Sequence, residues 1–202
     1  MKLFKVSLCS ALVIILLSAG LCSAYTITTY TDENQWNTAV AARASWSETE
    51  TFDNSVYEPW LSITSDGGGS VVAFQWQSIV DSNPVKNDTF SFSLPGIFAW
   101  CGTFDLPTPG GAGEGINVYA NLITAGGYSE AYLIANNYAG FVGFVITGDE
   151  FTSVQLRGGG NPLGVQETYW LDDMSIAGVP EPMTMLLLGL GLVGLAGVRR
   201  FK

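Results

Sequence analysis

The side chains of this chain that could do chemistry are carboxylates, with little to help them. Histidine is absent from all 202 residues, which removes the Ser-His-Asp and Cys-His arrangements and the usual His-bearing zinc sites. Cys101 lies in the apolar run Ile97-Phe-Ala-Trp-Cys-Gly-Thr-Phe104, and without a histidine to act as its base it reads as a buried, inert thiol. Two acids about 5 to 10 Å apart can hydrolyse a glycosidic bond. Glu48 and Glu50 stand two apart on one strand-like stretch and point to the same side, but like charges so spaced more simply form a solvated face. Asp172 and Asp173 alternate faces if they sit in a strand, so one points inward and needs calcium or a backbone hydrogen bond to satisfy it. The stretch Asp81-Ser-Asn-Pro-Val-Lys-Asn-Asp88 lacks EF-hand spacing and reads as Asx-turn capping. Calcium is thus the one cofactor that the side chains suggest.

Aromatic rings are the second resource. All six tryptophans fall between residues 36 and 170, and a flat apolar ring suits the C–H face of a pyranose. Trp76 and Trp100 occupy the inward parity of strong strand patterns and belong to a core. Trp46, Trp60 and Trp170 sit in weaker patterns and are the residues to stack on a glycan.

The elements that would position these groups are nearly all strands. Residues 26–30 form a short strand. Asp32 then offers an N-cap, and Trp36 and Val40 share one face, which predicts a short helix over 32–42. Period-2 alternation follows in Val72, Phe74, Trp76 and Val80, in Phe90, Phe92 and Leu94, in Phe98, Trp100 and Phe104, and in Ile116, Val118, Ala120 and Leu122. Further segments near 131–135, 140–147, 152–156 and 168–176 bring the set to roughly nine or ten. Gly- and Pro-rich stretches at 66–70, 81–84, 107–115 and 157–162 read as turns or loops. Many short strands with such turns predict an all-β domain, an antiparallel β-sandwich or jelly roll with one short N-terminal helix.

Both ends of the chain differ from this middle. Residues 1–24 carry Lys2 and Lys5, an apolar stretch over 6–17 and the small-residue end Cys22-Ser-Ala24, the pattern of a secretory signal peptide cut after Ala24. Acylation of Cys22 is the alternative, and Leu21 is too large for the usual small position before it. At the other end, residues 179–202 read Val179-Pro-Glu-Pro182, sixteen residues without a charge, then Arg199-Arg-Phe-Lys202. In a helix sixteen residues rise about 24 Å, short of the roughly 30 Å hydrocarbon core, so this single transmembrane helix is marginal. Arg199, Arg200 and Lys202 lengthen it by snorkelling, and their charge holds that end in the cytoplasm and the preceding chain outside. Gly189-Leu-Gly-Leu-Val-Gly194 fits G-x-G-x-x-G, but inside a membrane span it has no βαβ context and is a chance match.

Pro180-Glu181-Pro182, the apolar Gly/Leu span and the terminal arginines together closely resemble the PEP-CTERM sorting signal of exported bacterial proteins. That resemblance implies an exosortase, a membrane-embedded transpeptidase-like protease, as partner. It implies the sorting residues Pro180, Glu181, Pro182, Arg199 and Arg200, and an envelope often rich in exopolysaccharide. An ordinary C-terminal anchor, with the prolines only ending a strand, is the plainer alternative. Residues 36–40, 50–53, 141–144 and 169–176 resemble, more diffusely, the exported domains that precede such tails, and the closing Asp-Asp strand resembles carbohydrate-binding jelly rolls that hold a structural calcium.

Residues 25–178 would then form one exported domain of about 154 residues, enough for a single core. Three basic residues stand against seventeen acidic ones in it, a net charge of −14, which excludes nucleic acid as a partner. Cys9 and Cys22 leave with the signal peptide, so no internal disulfide can form and packing alone holds the core. The partners expected are the secretion translocon, signal peptidase, exosortase, the inner membrane transiently, and exopolysaccharide. Three function classes are open: a non-catalytic envelope or matrix protein, a carbohydrate-binding module with a defined glycan, and a polysaccharide-active enzyme, the first being preferred.

Overall fold

The computed structural model describes residues 25–81, 86–106, 116–127, 129–135, 137–159 and 166–179. The signal-peptide segment, Pro180, Glu181, Pro182, the apolar span, Arg199 and Arg200 lie outside the described residues. Strand β1 (Thr26–Tyr30) ends just before Asp32, whose Oδ1 accepts hydrogen bonds from the backbone N–H of Asn34 at 2.8 Å and of Gln35 at 3.2 Å. That cap opens helix α1 (Glu33–Ala41), and Trp36 and Val40, one turn apart, are its buried residues. The Trp36 indole N–H donates to the Phe144 carbonyl at 3.3 Å. A Cβ at Gly143 would come within 2.5 Å of the Trp36 ring, so a glycine there is what lets the helix lie against the sheet.

Eleven further strands complete the domain: β2 (Trp46–Glu50), β3 (Leu61–Ser65), β4 (Ser70–Val72), β5 (Gln75–Asp81), β6 (Asn87–Phe92), β7 (Ile97–Asp105), β8 (Asn117–Thr124), β9 (Ser129–Ile134), β10 (Ala139–Thr147), β11 (Phe151–Gly159) and β12 (Gln166–Gly178). They form two antiparallel sheets. One has the order β1-β10-β7-β12-β5-β4, with β2 also paired to β12, and the other is β3-β6-β11-β8-β9. The inward halves of the alternating patterns meet between them, as two packed sheets require. Trp100 on β7 stacks on Phe144 of β10, with centroids 5.7 Å apart and planes 15° from parallel. Trp76 meets Phe90 edge-on at 6.0 Å and Tyr132 meets Phe144 at 5.3 Å, both contacts crossing from one sheet to the other. Each such ring removes about 150–250 Å² from water, the burial a core without a disulfide depends on. Cys101 is buried, and desolvation pushes its thiol up to about 12, as an inert cysteine should be.

One polar network crosses the core. Asp88 on β6 accepts from the Tyr169 hydroxyl of β12 and, at 3.5 Å, from the Trp76 indole N–H, which also reaches the Tyr169 oxygen at 3.1 Å. Burial, then the Asp88 carboxylate, hold the Tyr169 phenol well above its ordinary value. Both bonds fall on Asp88 Oδ2, while its Oδ1 has no partner among the described residues, and the network fixes how the sheets sit over one another because a slip would break both bonds in the core.

Three expectations are corrected. The run from Val72 to Val80 is not one strand: Ala73 and Phe74 take φ of 51° and 67° and form the turn between β4 and β5, leaving Phe74 66% exposed. A type I′ two-residue hairpin needs positive φ at both positions, and pairing of Val72 with Gln75 imposes it on residues with no preference for it. The stretch at 157–162 is not wholly a loop, since β11 continues through Gly159: β6 pairs with it as far as Arg157 and β8 through Gly158 and Gly159. The third is that β2, β3 and the separate β4 raise the strand number to twelve.

Glu167 on β12 is fully buried, and neither carboxylate oxygen has a hydrogen-bond partner in good geometry. Burial raises its pKa, with the nearby backbone amides of Ile116 and Thr168 pulling the other way. A raised folded pKa means that the folded state keeps a proton the unfolded chain releases. Stability is therefore full below about pH 4 and falls as pH rises through the folded value. Glu167→Gln should raise the midpoint of thermal unfolding at pH 7 and flatten its decline as pH rises above the ordinary glutamate range; an unchanged pH profile would contradict this.

Candidate functional site

Strand β12 positions most of what could be functional. It pairs with β7 on one side, and on the other with β5 over Gln166–Leu171 and then with β2 over Met174–Gly178. Where the second partner changes, the ladder to β7 shifts register between Asp172 and Ser175, and Asp173 takes a φ of 47°. This bulge cancels the simple alternation expected of Asp172 and Asp173. Asp172 is half-buried, accepting from its neighbour's N–H at 2.9 Å and from the Gln75 amide at 3.4 Å. Asp173 is exposed, and its pKa is raised by partial desolvation and then by Asp172, Glu33 and Asp53. Among the described residues no group of three or more His, Cys, Asp or Glu could hold a metal ion, so the calcium expectation gains no third ligand here.

Glu48 and Glu50 share a face of β2 but have different surroundings. Glu48 is exposed, whereas Glu50 is buried and uses both oxygens on the backbone, accepting from Phe52 at 2.7 Å and from Glu58 at 2.8 Å. It staples the loop between β2 and β3, where Phe52 holds a φ of 52°.

The three tryptophans expected at the surface separate. Trp60 departs from expectation: it is 6% exposed, tilted against Phe92 at 6.3 Å, and its own carbonyl is held by the Ser93 N–H at 2.9 Å. Only a sliver of the ring reaches the surface, in a shallow hollow it shares with Ser62, Ser91 and Phe92. Trp46 is half-buried and lies across Gly178, where a Cβ would come within 2.0 Å of the ring. Trp170 is half-buried on the outer side of the larger sheet, opposite Gln77. It lines an open groove of about 440 Å³ with Gly68, Ser70, Gln77 and Thr168.

The exit of the chain from the domain is built as a clamp. The Gly178 carbonyl accepts from the Ser45 N–H at 3.0 Å and its hydroxyl at 3.3 Å, while Val179 N–H donates to the Gly96 carbonyl at 3.1 Å. Gly96 has a φ of 72° and donates its own N–H to Glu150 at 2.5 Å. A Cβ there would lie 2.1 Å from the Val179 carbonyl oxygen, so only glycine permits the approach. Val179, the residue before Pro180 in the sequence, is thus fixed to the fold.

A further group of side chains was not singled out by the sequence. On the outer face of the smaller sheet, Gln155 of β11 donates to Asn87 at 3.0 Å and to Thr89 at 3.4 Å, and accepts from Asn121 of β8 at 3.3 Å. Beside them the Arg157 guanidinium lies 4.9 Å from the Tyr119 ring centroid. A signal was present in the polar half of the alternation, Asn117, Tyr119 and Asn121 on one strand and Gln155 and Arg157 on another. Their meeting depends on register, which the sequence alone does not supply.

Among solved structures, a family 29 carbohydrate binding module from Piromyces equi is 8% identical, with a TM-score of 0.47, covering 66% of this chain and 91% of that chain. A family 29 variant complexed with mannohexaose is also 8% identical, with a TM-score of 0.48, covering 67% of this chain and 94% of that one. No curated protein matches the chain. Residues 178–200 match the PEP-CTERM protein-sorting motif. The clamped pair Gly178 and Val179 is thus the start of that match: the chain carries a PEP-CTERM sorting motif joined directly to a β-sandwich domain, which implies a surface protein sorted by an exosortase.

Proposed function

We propose that this is an exported, non-catalytic envelope or matrix protein in three parts: a signal peptide over 1–24, a working domain over 25–178, and a sorting and anchoring segment over 179–202. The translocon and signal peptidase act on the first part. An exosortase acts on the last, through Pro180, Glu181 and Pro182, with Arg199 and Arg200 holding the tail across the inner membrane until it is cut. Its final setting is the cell surface or the extracellular matrix, in association with exopolysaccharide. The observation that carries this reading is the match at 178–200 beginning on the last residue of β12.

The use of Glu50 as a backbone staple supports the non-catalytic reading, since a carboxylate with both oxygens engaged is a poor acid or base. A second reading, a carbohydrate-binding module with a defined ligand, is favoured by the Trp170 groove, where a ring and the Gln77 amide stand together in the open.

Deleting Pro180–Pro182 should leave the protein uncut in the membrane fraction, whereas the parent chain appears shorter by the mass of its tail. The same mature mass for both would contradict the sorting role. The clamp is separable from recognition. Gly96→Ala forces a side chain into positive φ, at about 1–2 kcal/mol, and into the Val179 carbonyl. The unfolding midpoint of the full chain should fall by about 2–8 °C, on the scale of 2–4 °C per kcal/mol for this size, while the tail is still removed. An unchanged midpoint would mean that the clamp holds nothing.

A further inference from the structure

The outer face of the smaller sheet differs chemically from the rest of the domain. Register places Thr64, Thr89, Gln155 and Asn121 in one cross-strand row, and Asn87, Arg157 and Tyr119 in the next. A third row is made of serines, Ser62, Ser91 and Ser153. Among the described residues, no aspartate or glutamate occupies an outward position on any strand of this sheet, although the domain carries seventeen. The larger sheet, by contrast, turns Asp105 and Asp172 outward and has Glu33 of α1 above it. Ser62, Thr64 and Ser91 are exposed and the central side chains half-buried, while α1 lies on the other sheet.

Solvated sheet faces ordinarily carry charge, which keeps them soluble and unpaired. Here amides hydrogen-bond one another instead. Gln155 is held from three sides by Asn87, Thr89 and Asn121, which fixes a flat lattice of donors and acceptors before any ligand arrives. Tyr119 is seated too: its ring lies across Gly159, where a Cβ would come within 2.4 Å, with the Arg157 guanidinium over it. Gly159 is thus required in the strand in order to seat the ring.

We propose that this face binds a neutral polysaccharide chain, an inference that rests on the matrix reading and names its ligand class. Side-chain amides and hydroxyls supply donors and acceptors in the close pairs that vicinal sugar hydroxyls match. Tyr119 and the guanidinium over it form one flat stack that a sugar ring can lie against, with the phenol edge supplying apolar surface and Arg157 a planar set of donors. Charge selects a neutral polymer. A domain at −14 repels a polyanion, and one arginine does not reverse that field.

The test is affinity electrophoresis of the full chain in detergent, in native gels containing hydroxyethylcellulose, dextran, galactomannan or alginate. Retardation is expected in at least one neutral gel, insensitive to salt, and none in alginate. Tyr119→Ala and Asn121→Ala should each weaken it about tenfold, and Tyr119→Phe should retain it. Should Tyr119→Ala fail to fold, Asn121→Ala at an unchanged unfolding midpoint decides the matter. Retardation in no neutral gel, retardation only in alginate and lost with salt, or loss in Trp170→Ala but not in the two face variants would each overturn the proposal. Such a failure in a chain still trimmed on cells leaves the sorting reading standing, and an untrimmed chain that binds the gel would fail the sorting reading alone.

Discussion

The constraint on which the rest of the structure depends is the placement of β12, the last strand in sequence, in the interior of the larger sheet. It is hydrogen-bonded to β7 along one side and to β5 and then β2 along the other. Its inward residues Tyr169, Leu171, Met174 and Ile176 are fully buried. A terminal strand could have lain at an edge and frayed. This one is held on both sides, so the domain is complete only once the chain up to Gly178 has been incorporated. The match to a sorting motif from residue 178 gives that placement a functional meaning: the motif starts on the last residue of β12.

Two further devices protect the arrangement. Asp88, Tyr169 and Trp76 tie the sheets across the core, in a protein whose single domain cysteine cannot form an internal disulfide. The bulge at Asp172 and Asp173 absorbs the change of partner from β5 to β2 without disturbing the buried residues on either side. The sequence suggests chemistry for those two acids, yet their local role is geometric: a short polar side chain tolerates the left-handed conformation that the bulge requires.

Much of the fold is legible in the residues. Asp32 caps the helix, Trp36 and Val40 mark its buried face, and Phe98, Trp100 and Phe104 mark a core strand, because each of these signals is local. Illegible features depend on partners distant in sequence. Ala73 and Phe74 turn because β4 and β5 must pair, not because either residue prefers positive φ. Gly159 looks like loop material until Tyr119, forty positions earlier in the chain, is seen lying across it. Trp60 looks available because it sits in a weak strand pattern, yet the turn before β3 tips it inward against Phe92. The amide lattice around Gln155 belongs to the same class: ordinary residues on three strands, made into a surface by register.

The central claim is that both ends of the chain serve delivery and that the sandwich works beyond the inner membrane after they are removed. The most direct test is the intact mass of the protein recovered from the surface and medium of the cells that make it. The account predicts a polypeptide that begins at Tyr25 and ends short of the apolar span at 183–198. A protein recovered from the cytosol, still carrying Met1 and Lys202, would contradict it.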